Sequence, residues 1–80
     1  MSYDREIIIG IAKQTINRME KGKKANVHDM LSGHEEYDNL SKNDKMGIGR
    51  MISNEVDSNN LITIRKTGNK KNNSIEYERI

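Results

Sequence analysis

Leu40-Ser41-Lys42-Asn43-Asp44-Lys45-Met46-Gly47-Ile48-Gly49-Arg50-Met51-Ile52-Ser53-Asn54-Glu55-Val56 is the stretch that decides the fold. It reads as one helix. Ser41 stands as N-cap, and Asp44 follows three residues later. Ser-x-x-Asp is a variant of the capping box, and the carboxylate also suits the positive end of the helix dipole. Leu40, just outside, can staple the incoming chain. Met46, Ile48, Met51, Ile52 and Val56 recur at the spacing of a helical face, with Lys42, Asn43, Lys45 and Asn54 largely turned away from it. Gly47 and Gly49 cut against this pattern. Each costs about 1 kcal/mol relative to alanine in a helix interior, so another backbone or a ligand is expected close by.

Upstream, Ser2 to Lys21 reads as a first helix. Asp4 can cap it, Glu6 lies in its first turn, and Tyr3 is placed to staple against Ile8. Ile8, Ile9, Ala12, Ile16 and Met19 form a helical stripe, widened by Ile7 and Ile11, that is either core or a face shared with a second copy. Gly22 is the expected stop, with Lys21 in the last turn. The basic turn Lys21-Gly22-Lys23-Lys24 either complements the helix dipole or contacts phosphate. Ala25-Asn26-Val27 reads as a short extended piece. Val27 to Leu31 is one or two turns of a second helix, stopped by Gly33, with Met30 and Leu31 facing the core and His28 capping or decorating its start. His34 to Asn39 reads as the link to the third helix, and Tyr37 as a packing residue whose hydroxyl is wet or bonded.

Downstream, Asp57-Ser58-Asn59-Asn60 is a turn by composition. Leu61 to Lys66 alternates, with Ile62 and Ile64 on one face and Leu61, Thr63 and Arg65 on the other. Thr67 to Asn73 is a polar, glycine-containing loop, and Ser74 to Arg79 is a second strand with Ile75 and Tyr77 on one face. The result is a β-hairpin with Arg65, Lys66, Lys70 and Lys71 at its basic tip. Helices before the central helix and a hairpin after it follow the order of a winged helix-turn-helix. The expected architecture is α+β, with three helices and a small antiparallel wing in a single domain over residues 1–80.

Bulk composition narrows the function. With 32% hydrophobic residues and neither Phe nor Trp among 80, the core must come from Ile, Leu, Met and Val. So thin a core is compatible with a marginal monomer or with a homodimer through the first helix. No cysteine means no disulfide and no thiolate metal site. His28 and His34, with their acidic neighbours, match no standard ligand spacing. Ile7-Ile8-Ile9 is too short to cross a membrane, nothing resembles a signal peptide, and a cytoplasmic protein is expected. Gly47-x-Gly49 lies inside a helix and is no dinucleotide fingerprint. There is no nucleophile–base constellation and no carboxylate pair in apolar surroundings, so neither catalysis nor a small-molecule substrate nor a cofactor is expected.

What stands out is positive charge interleaved with amides. Net charge is only +2, so the distribution of cations matters more than their number. Lys23, Lys24, Lys42, Asn43, Lys45, Arg50, Arg65, Lys66, Lys70 and Lys71 are the candidate nucleic-acid contacts. A winged helix turns its third helix and its hairpin tip towards the same side, which would collect Lys42, Lys45, Arg65, Lys66, Lys70 and Lys71.

Met30-Leu31-Ser32-Gly33, Tyr37-x-x-Leu40, Met46-Gly47-Ile48-Gly49-Arg50-Met51-Ile52, Val56 and Tyr77 together resemble a small single-domain winged-helix family of Gram-positive bacteria and their mobile elements. The resemblance covers roughly residues 27 to 80. One branch of that family binds single-stranded DNA. This chain departs from it at Met30 and Met51, where the family usually has an aromatic, and at Tyr37, where it often has Trp. The resemblance implies that Gly49 allows close helix packing and that Arg50 bonds a neighbouring loop or reaches phosphate. It also implies a non-catalytic DNA-binding protein, directed to single strands, that serves replication, maintenance or transfer of a mobile element. Two alternatives stay open. One is a dimeric duplex-reading repressor with Lys42, Asn43 and Lys45 in the major groove. The other is a protein–protein adaptor or inhibitor working through the first helix.

Overall fold

A computed structural model describes residues 3–80 of the chain. Four helices and three strands follow in the order α1 (Arg5–Arg18), β1 (Lys24–Ala25), α2 (Val27–Leu31), α3 (Glu35–Asp38), α4 (Lys42–Asp57), β2 (Ile64–Lys71) and β3 (Ser74–Arg79). The strands form one antiparallel sheet in the order β1-β3-β2. This α+β arrangement is compatible with a winged-helix-like fold.

The first helix is shorter than the expected span from Ser2 to Lys21, and Ser2 itself lies outside the described residues. Asp4 caps α1, its carboxylate accepting from the N–H groups of Glu6 at 2.9 Å and Ile7 at 3.3 Å. The chain turns extended at Met19, so Gly22 does not cap the helix. With φ +89°, Gly22 shapes the turn into β1, and its N–H donates to the Arg79 carbonyl at 2.7 Å. Arg79 returns the link: its Nε donates to the Ile16 carbonyl at 3.0 Å, a second donor on a carbonyl that also accepts from the Met19 N–H at the helix end. Ile8, Ala12 and Ile16 are buried, with Ile9, Ile11 and Met19 packed at the edge of the core. Ile7 does not widen the buried stripe; it is 52% exposed.

Helix α2 has the expected bounds. Its N-cap is Asn26, in a reciprocal capping box with Asp29. The segment expected as a plain link contains α3, one turn around the buried Tyr37, which raises the helix count from three to four. Helix α4 begins where Ser41 predicts, its hydroxyl accepting from the Asp44 N–H at 3.2 Å. Ile48, Met51 and Ile52 are buried, whereas Met46 is 52% exposed and leaves the apolar face.

The hairpin departs most from the expectation. Residues 61–63 still belong to the connection, so strand alternation does not apply to them. Leu61 and Ile64 are buried, and Ile62 is exposed. Strand β2 then runs on to Lys71, through what reads as a loop. It accommodates its surplus residues in a bulge between Lys66 and Lys70, where Gly68 has φ +89°. The turn shrinks to Asn72-Asn73, both at positive φ, a conformation in which asparagine is favoured. Tyr77, at the middle of the sheet, is fully buried.

Candidate nucleic-acid interface

Helix α4 and the end of the hairpin face each other across an open cleft of about 710 Å³. Lys42, Lys45 and Arg50 line it from α4, together with Met46, Gly49 and Ser53. Asn72, Asn73, Ser74 and Ile75 line it from the hairpin. Val27 and His28 line it from α2, Tyr37 from α3 and Tyr77 from the sheet. No Asp or Glu is among the lining residues. None of the three cations is ion-paired among the described residues. Lys45 instead lies over the Tyr37 ring, its Nζ 5.1 Å from the centroid, a cation–π contact that holds the ammonium at the rim.

The cleft has this shape because the hairpin end is tied to α2. Asn26 is buried and uses three groups. Its Oδ1 accepts from the Asp29 N–H at 2.7 Å, its Nδ2 donates to the Lys71 carbonyl at 3.0 Å, and its backbone N–H donates to the Asp29 carboxylate at 3.2 Å. Lys71 Nζ then pairs with that same carboxylate at 2.7 Å. The hydrogen bond from Lys71 pulls the Asp29 carboxyl below its ordinary value, against a smaller upward push from burial. Tyr37 is buried with its hydroxyl 3.2 Å from His28 Nδ1, and burial pushes its pKa up. Tyr37 therefore packs and bonds; its ring faces are not open for stacking on a base.

The sequence-expected contacts divide. Lys42, Lys45 and Arg50 come together at the cleft. Asn43 is exposed on the first turn of α4 but is not in the lining. Lys23 and Lys24 are exposed at the opposite edge of the sheet, on and beside β1. The hairpin cations do not form a free basic tip. Lys71 pairs with Asp29, Lys66 Nζ with Asp57 at 2.9 Å, and Arg65 with Glu78 across the β2–β3 pairing. Glu78 also stands opposite Lys24 in the ladder, so one carboxylate is flanked by cations on both strands. Of that quartet only Lys70 is exposed and unpaired among the described residues.

Two roles implied for the central glycine–arginine pair change. An added Cβ at Gly49 would meet nothing within 4 Å, so this glycine does not serve close helix packing; it opens onto the cleft. Gly47 is the one with a neighbour, since the Tyr3 hydroxyl lies 3.3 Å from where its Cβ would stand. Arg50 makes no bond to a neighbouring loop among the described residues and is exposed at the rim.

Sequence reasoning missed Ser53, Tyr77 and the turn asparagines as cleft residues, and Asn26 as the clamp. Asn-x-x-Asp at 26–29 is a capping signal that could have marked the last. No local pattern announces the others, because they meet only in three dimensions. Among the described residues no group of His, Asp and Glu could hold a metal ion, and no helix is long and apolar enough to cross a membrane. The sequence matches no family model, no curated protein and no solved structure.

Proposed function

We propose that this is a non-catalytic, cytoplasmic DNA-binding protein of winged helix-turn-helix type that engages single strands in the cleft between α4 and the hairpin. One observation carries the reading: Lys42, Lys45 and Arg50 line an apolar-walled cleft that has no carboxylate in it. A polyanion meets cations without opposing charge there, and unstacked bases find an apolar wall, made by Met46 and Ile75 in place of the aromatic platforms that single-strand grooves commonly use. The resemblance of residues 27–80 to a family of mobile-element proteins extends the reading to an accessory role in replication, maintenance or transfer of such an element.

One feature favours duplex reading instead: Lys42 and Asn43 are exposed on the first turn of α4, the end of a recognition helix that reads bases. Fluorescence anisotropy on matched single-stranded and duplex oligonucleotides over a salt series separates the two. Tighter binding to single strands, with a steep salt dependence, is the expected result. Tighter, sequence-dependent duplex binding makes the protein a repressor. Absence of binding to either at low salt rejects nucleic acid as the partner and leaves the adaptor reading through α1.

A further inference from the structure

Among the described residues the cleft contains one unsatisfied buried group. Tyr77 is fully buried, and its Oη makes no hydrogen bond to any of them. Buried hydroxyls without partners are uncommon and costly, and they call for an explanation. Ser53 stands beside this one on the α4 wall. It is close enough to lower the phenol's pKa against the rise caused by burial, yet outside hydrogen-bond geometry. Ser53 is itself only half-buried and borders the cleft. A serine hydroxyl can accept one hydrogen bond while donating another.

We propose, on the basis of the single-strand reading above, that the cleft is a base-recognition subsite. One unstacked base lies between Met46 and Ile75, and the Tyr77–Ser53 pair reads a carbonyl on its edge. A rotation of Ser53 brings its Oγ into line to accept from Tyr77 Oη and to donate its own proton to the carbonyl oxygen of the base. Tyr77 thereby gains the acceptor it lacks. Thymine, cytosine and guanine carry such a carbonyl; adenine does not. Met46 and Ile75 are 52% and 37% exposed and border the cleft from opposite walls, so they supply the faces that the buried rings of Tyr37 and Tyr77 cannot. The flexible thioether of methionine adapts to a flat ring without a fixed pocket shape. Ser53 is the contact residue, and Tyr77 positions it. The rim cations take the phosphates on either side.

The test compares labelled oligo(dT) and oligo(dA) of equal length at one salt concentration. Oligo(dT) stacks less on itself and is favoured by many single-strand binders, so the readout is the change in the dT:dA affinity ratio between variants. Ser53→Ala and Tyr77→Phe should each lower that ratio about five-fold, the worth of one ordinary hydrogen bond, with little effect on oligo(dA). Tyr77→Phe should leave the unfolding temperature unchanged or raised, because it removes an unpaired buried hydroxyl. A lowered temperature would mean that the hydroxyl is structural and overturn its part. Should Tyr77→Phe fail to fold, Ser53→Ala, at a half-exposed helix position, carries the measurement. Wild-type binding with a ratio unmoved in both variants overturns the subsite and leaves the single-strand reading intact. Wild-type protein that binds neither oligonucleotide overturns that reading, and the subsite with it.

Discussion

Asn26 joins the two parts of the molecule that make the cleft. Its side chain caps α2 through Oδ1 and holds the hairpin through Nδ2 on the Lys71 carbonyl. Replacing it with alanine loses the cap and the hydrogen bond to the Lys71 carbonyl, a combined cost of about 2 kcal/mol. Asn26→Asp keeps the cap acceptor but loses the donor and sets a second carboxylate beside Asp29. It should fall between wild type and Asn26→Ala in a urea titration, and equal losses in both variants would deny the hairpin bond its share. Asp29 adds a pH signature. Its folded pKa lies below the ordinary 3.8, so its contribution is complete above that value and is lost as pH falls through the lowered one. Asp29→Asn should therefore cost about 1 kcal/mol at neutral pH, given a half-exposed pair and a shared cap. The gap to wild type should close as the pH drops below about 3.8. A gap that persists in acid would assign the loss to the side-chain swap rather than to the charge.

Among the elements, α4 was legible from residue types because its signals are local: a serine cap, a helical apolar spacing and a polar turn at the end. The hairpin was not. Thr67 to Asn73 reads as a loop because the bulge breaks alternation, and pairing with β3 makes its first part, up to Lys71, strand. Likewise α3 is a single turn held by the burial of Tyr37, with no cap to announce it. Helix α4 also poses a test of its glycines. Gly49 has open space around it and sits mid-helix, so Gly49→Ala should stabilise the domain by about 1 kcal/mol, or about 4–8 °C in Tm. If single-strand affinity falls while Tm rises, the glycine is kept for the ligand and not for the fold. Unchanged affinity would show that the added methyl lies outside the strand's path. On α1, the burial of Ile8, Ala12 and Ile16 within one chain accounts for the apolar stripe. Ile9 packs at the edge of that core, so Ile9→Asp is expected to destabilise the fold rather than split a dimer. Sedimentation of the wild type at twice the chain mass would reverse that expectation.

At the scale of the whole molecule the deciding quantity is which cations are free. From the sequence, the hairpin quartet and the α4 lysines look equivalent, because a carboxylate distant in the chain leaves no local mark on its partner. In the folded protein Arg65, Lys66 and Lys71 are matched by Glu78, Asp57 and Asp29, whereas Lys42, Lys45 and Arg50 face the cleft without a carboxylate. A cation already paired releases few counterions when a phosphate arrives. Each unpaired cation that takes a phosphate on a single strand contributes about 0.7 to the slope of log affinity against log salt. Replacing Lys42, Lys45 and Arg50 together with alanine should therefore flatten the slope by about two units. Replacing Lys70 and Lys71 should flatten it by no more than about one, since of the two only Lys70 is unpaired among the described residues. Deleting a pair whole, with Lys66→Ala and Asp57→Ala in one chain, keeps the local charge and should leave the slope unchanged. A steeper response to the hairpin variants than to the α4 triple variant would mean that the ion pairs open on binding. The strand would then run over the hairpin, and the cleft would lose its claim.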